Sequence, residues 1–118
     1  MAEPILFVDH VAAIGGAERS LLLLLEHLDR GRWQPHLACA PGPVAEEARA
    51  LGIAVHPVDL PRLRRSSRFA LDEAQGARAL ARIARQTGAA LVHANTVRAA
   101  VYAAPAARLA RRPFVWHM

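Results

Sequence analysis

Residues 5–28, ILFVDHVAAIGGAERSLLLLLEHL, limit the fold more than any other stretch of the chain. Ile5-Leu6-Phe7-Val8 is a short apolar run, the pattern of a buried strand, and Asp9-His10 ends it. A loop follows and closes on Gly15-Gly16. From Ala17 onward Leu21, Leu22, Leu24, Leu25 and Leu28 line a helix with Glu18 in its first turn. Strand, glycine turn and helix in that order make the opening unit of a doubly wound α/β domain.

The glycine pair has two readings. It makes a tight turn, because glycine takes backbone angles that other residues avoid. Alternatively it keeps side chains out of the space above the strand, where the helix amino end offers unpaired N–H groups and partial positive charge. An anion there gains roughly 0.3–1 kcal/mol when exposed. The residues alone leave both readings open.

The rest of the chain repeats the alternation. Gly31 marks a left-handed stop after the first helix, and residues 36–40 form the second strand, with Trp33 packed beneath it. Pro41-Gly42-Pro43 breaks the chain, residues 44–51 form a short helix, and Gly52 closes it. Residues 53–58 are a third strand that Pro57 assigns to a sheet edge. Residues 60–71 read as a loop or broken helix, and Asp72 or Glu73 opens a helix to about Thr87 that Gly88 ends. Its alanines, Leu80 and Ile83 face the core, and Arg78, Arg82 and Arg85 face solvent. Residues 90–93 are the fourth strand, and Asn95 or Thr96 caps a helix over residues 97–110 that contains Pro105. Residues 113–117 are the fifth strand. Right-handed crossovers then predict a Rossmann-like, three-layer α/β/α fold with a parallel sheet of order 3-2-1-4-5. Strands one and four flank the reversal, and ligands bind above the carboxyl ends there. Asp9, His10, the Gly15-Gly16 loop, His93, Asn95 and Thr96 stand at those ends, and His117 ends the adjoining strand.

At 118 residues the chain is one domain. Its 15 basic residues are all arginine, giving a net charge of +5. Arg62, Arg64, Arg65 and Arg68 cluster beside Leu63, Phe69 and Leu71. Such a run is a solvated face, or a contact with phosphate or an anionic membrane. Cys39, the single cysteine, sits in an apolar run and reads as a buried small hydrophobe. The amino end does not fit a secretory signal and no run is long enough to span a bilayer, so a reducing cytoplasm is expected.

Several chemistries are excluded. The turn lacks the G-x-G-x-x-G pattern, and no acid ends the second strand to hold a ribose. The absence of lysine rules out a P-loop. The six histidines show no metal spacing, and no aromatics interleave with the arginines as nucleic-acid binding requires. His93 reads either as a hydrogen-bonded strand-end group or as a catalyst, and Asn95 as a cap or a ligand contact.

Gly15-Gly16-Ala17-Glu18-Arg19-Ser20-Leu21-Leu22 after a first strand resembles the amino-terminal domain of retaining GT-B glycosyltransferases of the large family-four group. Pro41-Gly42, Leu51-Gly52-Ile53-Ala54-Val55, Leu91-Val92-His93-Ala94-Asn95-Thr96 and Arg112-Pro113-Phe114-Val115-Trp116-His117 match in order. The resemblance implies an enzyme that moves a sugar from a nucleotide-sugar donor to an acceptor with retention of configuration. It makes this the acceptor-side domain, with Gly15 and Gly16 in the loop near the donor phosphates. His93 and His117 match family histidines at strand ends. Asn95, followed by Thr96, stands where many relatives carry a histidine near the reacting sugar. No catalytic residue and no metal or resident cofactor is assigned. The carboxyl-terminal domain that holds the nucleotide sugar, and the last strands of this domain, are absent from the sequence, so the chain alone is expected not to transfer sugar. A sugar or lipid-linked acceptor is implied, with the arginine segment a candidate membrane contact at the inner membrane face. The rival reading is a non-catalytic Rossmann-like or flavodoxin-like module that binds a phosphate ligand or a protein.

Overall fold

A computed structural model describes residues 2–11, 13–61 and 69–117. Strands and helices alternate: β1 (Glu3–Val8), α1 (Gly16–His27), β2 (Trp33–Cys39), α2 (Pro43–Ala50), β3 (Ala54–Pro57), α3 (Phe69–Thr87), β4 (Leu91–Ala94), α4 (Val97–Ala110) and β5 (Phe114–Trp116). All neighbours pair in parallel, in the order β3-β2-β1-β4-β5. The expected sheet and its reversal between β1 and β4 are both present. The arginine segment, with Arg62, Arg64, Arg65 and Arg68, lies outside the described residues.

The period-two alternation of strand side chains divides the core. Leu6 and Val8 join Ala38, Val92 and Ala94 beneath α3 and α4. Ile5 and Phe7 join Leu37 and Cys39 beneath α1 and α2. β1 is apolar on both faces because it is the covered central strand, as its unbroken apolar run implies. Leu21, Leu22 and Leu25 anchor α1 to the sheet. Each such leucine contributes roughly 1.5–3 kcal/mol by leaving water.

α3 and α4 meet through small residues, Ala77, Ala81 and Ala84 against Ala99, Ala103, Ala106 and Ala107, all buried. Gly76 permits the closest approach, since a Cβ there would stand 2.4 Å from Tyr102 Cδ1. Tyr102 is fully buried and its hydroxyl donates to the Pro61 carbonyl.

Several boundaries differ from the sequence expectations, each for a physical reason. β2 begins at Trp33 because β1 pairs from Glu3 onward, so Trp33 is a strand residue and does not lie under the strand. α3 begins at Phe69, three residues before the expected acid. Gly31 is not a left-handed cap. The chain leaves α1 through Leu28 at φ −65 and ψ 138, and the Asp29 carboxylate and carbonyl accept the N–H groups of Gly31, Arg32 and Trp33 instead. Gly52 and Gly88 do close their helices at φ 82 and 69. α4 ends on Arg111 in the left-handed region at φ 58, a stop that no glycine marks.

Candidate functional site

The parallel ladder runs one residue past the strands at the carboxyl end of the sheet. Asp9 N–H donates to the Ala38 carbonyl, Asn95 N–H to that of Val8, and His117 N–H to that of Ala94, each at 3.0 Å. Register then places Asp9 and Asn95 on the face that α1 covers, in line with Phe7 and His93. His10 and Thr96, one position further on, turn toward α4.

Asp9 is fully buried. Its Oδ1 accepts the Val11 N–H at 3.1 Å, and its Oδ2 accepts the Asn95 side-chain amide at 3.0 Å. The same Asn95 nitrogen donates to the Ala17 carbonyl at 3.0 Å, so one side chain ties β1, β4 and the start of α1 together. Thr96, not Asn95, is the helix cap: its hydroxyl accepts the Ala99 N–H at 3.1 Å. That hydroxyl also hydrogen-bonds His10 Nδ1 at 2.7 Å. Burial and the nearby Arg98 guanidinium hold His10 below its ordinary value.

The glycine turn is held from beneath. Glu18, only 4% exposed, accepts the Gly15 N–H on Oε1 at 3.1 Å. Burial, followed by the hydrogen-bonding and charge influence of the neighbouring Asp9 carboxyl, pushes Glu18 above the usual carboxylate range. Neither glycine needs left-handed angles: Gly15 sits at φ −111 and Gly16 is the first residue of α1. The tight-turn reading is therefore corrected. What the pair supplies is space. A Cβ on Gly15 would stand 3.0 Å from Glu18 Oε1, and a Cβ on Gly16 would meet nothing within 4 Å. Nothing in the described fold requires glycine at position 16, and the first-turn N–H groups of α1 have no partner within the helix.

The structure thus brings Gly15, Gly16, Asn95 and Thr96 together around Asp9, Glu18 and His10. His93 and His117 form a neighbouring pair with ring centroids 6.2 Å apart, His93 also packing 5.0 Å from Phe7. The buried His93 Nε2 has no hydrogen-bond partner among the described residues. Burial, then the His117 charge, lowers its pKa. Cys39 ends the neighbouring β2, and burial pushes its thiol up to about 11, which leaves it inert. Among the described residues no group of three or more His, Cys, Asp or Glu is placed to hold a metal. A concavity of about 520 Å³ lined by Glu3, Asp29, Gly31, Arg32 and Trp33 lies at the opposite, amino end of the strands, where doubly wound sheets do not bind ligands.

Sequence reasoning placed Glu18 in the first turn of α1 and missed its hold on the Gly15 N–H. The signal was available: a glutamate three residues after the helix N-cap reaches back to the N-cap N–H.

The family model for Glycosyltransferase Family 4 matches residues 14–118, starting at the edge of the glycine turn. The chain belongs to Glycosyltransferase Family 4. Anabaena HepE, solved with UDP and glucose, is 28% identical with a TM-score of 0.70, over 97% of this chain. The same protein solved with UDP-glucose superposes with a TM-score of 0.72. A Rickettsia africae glycosyltransferase and Acinetobacter baumannii MurG share the fold at TM-scores of 0.78 and 0.74, with 18% and 17% identity. This chain spans 29% of the HepE and Rickettsia chains and 34% of the MurG chain. No curated protein matches the sequence. No helix among the described residues is long and apolar enough to cross a membrane.

Proposed function

We propose that this chain is the acceptor-side domain of a retaining GT-B glycosyltransferase, and that a further, donor-binding domain is needed for turnover. Gly16 carries the reading. Its backbone is ordinary, a side chain there would meet nothing within 4 Å, and it opens α1, whose amino-end N–H groups have no partner within the helix. A diphosphate fits this arrangement: it is accepted by backbone N–H groups, favoured by the helix dipole, and reached only if no side chain intervenes. The UDP and glucose in the HepE structure support a nucleotide-sugar donor.

In this reading Asn95 positions the donor side of the cleft from β4 while tying the turn in place. Thr96 and His10 border the acceptor side. His93 and His117, stacked on the same side, are proposed to border the sugar with them. A sugar or lipid-linked acceptor would lie on this shelf, and Arg62, Arg64, Arg65 and Arg68 are proposed to contact an anionic surface.

The test is transfer from isotope-labelled nucleotide sugars. A protein extended by the sequence encoded downstream is expected to turn over one of a donor panel and to keep the anomeric configuration in the product. The 118-residue chain alone is expected to give no labelled product. Turnover by the isolated chain, or inversion in the product, overturns the reading.

A further inference from the structure

All ten acidic residues of the chain lie between Glu3 and Glu73. Residues 74–118 carry seven arginines and no acidic side chain. The fold gathers that imbalance on one face, because this stretch builds most of α3 and all of α4, which pack side by side over the same side of the sheet. On α3 the exposed Arg78, Arg82 and Arg85 follow one another at helical spacing, a single stripe open to solvent. On α4 the exposed Val97, Val101, Ala104 and Arg108 do the same. Arg85 donates to the Leu109 carbonyl at 2.8 Å, and a groove of about 420 Å³, lined by Arg78, Arg82, Arg85 and Leu109 among others, joins the two helices.

A helix face that meets only water alternates the sign of its charges and gains from opposite charges four residues apart. This face repeats one sign. Arg78 and Arg82 stand four apart and Arg82 and Arg85 three apart, spacings at which like charges repel. No Asp or Glu forms an ion pair with any of them among the described residues. Arg85 and Arg108 complement the dipole in the last turns of their helices, but Arg78 and Arg82 stand outside those turns. Apolar side chains lie on the same layer: Val97 is 65% exposed and Leu109 50%. Neither stripe presents an aromatic ring for base stacking, since Tyr102 is buried.

We propose that the outer face of α3 and α4 docks on an anionic lipid surface. Its guanidinium groups reach headgroup phosphates, and Val97, Val101 and Leu109 meet the boundary with the acyl chains. Arginine suits this use, because its fork matches phosphate and its methylene stem lies along apolar surface. An anionic plane laid on this face meets no acidic side chain beyond Asp72 and Glu73 near the start of α3. The face is separate from the cleft at the carboxyl ends of the strands, and the inference stands whether or not the complete protein transfers sugar.

The experiment is cosedimentation of the 118-residue chain with vesicles of phosphatidylcholine alone and of phosphatidylcholine mixed equally with phosphatidylglycerol, with polyuridine RNA as a second polyanion at the same salt. Binding to the mixed vesicles, none to the neutral ones, and loss of binding with added salt are expected. The triple variant Arg78→Gln, Arg82→Gln, Arg108→Gln removes three exposed charges that form no ion pair among the described residues. An arginine near an anionic surface is worth about fivefold in partition, so this variant should bind about 100-fold more weakly. The control Arg19→Gln, Arg32→Gln, Arg49→Gln removes the same net charge outside α3 and α4 and should bind within about fivefold of wild type. Should the triple variant fail to fold, as thermal unfolding would show, Arg82→Gln alone decides by its loss of about fivefold. Equal sedimentation with both vesicle types, an equal loss in the control, or RNA binding without vesicle binding overturns the proposal. A loss confined to glutamine replacements of Arg62, Arg64, Arg65 and Arg68, with the triple variant unchanged, also overturns it and leaves the contact proposed for that segment standing.

Discussion

Replacing Gly16 with alanine separates what the fold needs from what a ligand needs. Gly16 opens α1 with helical backbone, and an added Cβ meets no atom within 4 Å. There is no clash to relieve, and alanine restricts the unfolded chain, so the change should stabilise by about 0.4–1 kcal/mol. With an unfolding entropy of about 2.1 cal/mol/K per residue over 118 residues, that is a rise in Tm of about 2–4 °C. If the proposed function holds, the same methyl group in the complete enzyme would stand at the α1 amino end, where the donor phosphates are expected. Losing one charge-assisted hydrogen bond to a phosphate costs about 1.5–3 kcal/mol, so the KM for the nucleotide sugar should rise roughly 10- to 100-fold. Calorimetry on the isolated chain and donor saturation kinetics on the complete enzyme read the two effects. A lower Tm would mean that the fold itself requires glycine here. An unchanged donor KM would mean that nothing approaches the turn. Either result refutes the reasoning.

Gly76→Ala should act in the opposite way. Its Cβ would lie 2.4 and 2.6 Å from ring carbons of Tyr102, which is pinned through its hydroxyl to Pro61, so about 1–3 kcal/mol of overpacking outweighs the helix gain and Tm should fall in the same calorimetric scan. His36 Nδ1 and His56 Nε2 hydrogen-bond at 3.0 Å, and burial lowers both pKa values below the usual 6.5. A lowered folded-state value means the unfolded chain binds more protons, so stability is full above the unfolded value and is lost as pH falls below it. The urea midpoint should drop on acidification from neutrality, and His56→Leu should flatten part of that drop; an equal drop in the variant would rule the pair out as a cause. Glu18 contributes in the reverse sense, because its raised value makes its contribution fade as pH climbs out of the ordinary carboxylate range.

Much of the fold was legible because periodicity and punctuation agree in this chain. The unbroken run Ile5-Leu6-Phe7-Val8 can only be a strand covered on both faces, and it is the central one. Pro57 could not donate within a central ladder, and β3 is an edge strand. Gly52 and Gly88 sit where a left-handed residue closes a helix. Arg111 adopts the same left-handed geometry without a glycine, so that stop leaves no trace in the residue types. Gly31 shows the converse error: a glycine after a helix looks like a cap, but the Asp29 side chain satisfies the turn and the glycine angle is not used. Within the site, strand-end positions were readable from topology, which put Asn95 beside the α1 turn. The influence of Asp9 on Glu18 was not, because it joins residues on separate elements through side chains that usually face water. Topology did bring His93 and His117 onto one face, and their stacking follows from adjacent strands in register.

The central claim is that the glycine turn of α1 and the tip of β4 form one wall of a nucleotide-sugar cleft. A structure of the complete enzyme with a bound nucleotide sugar measures this directly. The diphosphate should lie over Gly16, within hydrogen-bonding reach of about 3 Å from the α1 first-turn N–H groups and on the same side of the sheet as Asn95. A diphosphate bound at the amino ends of the strands, or held wholly by the other domain with Gly16 facing solvent, would contradict it.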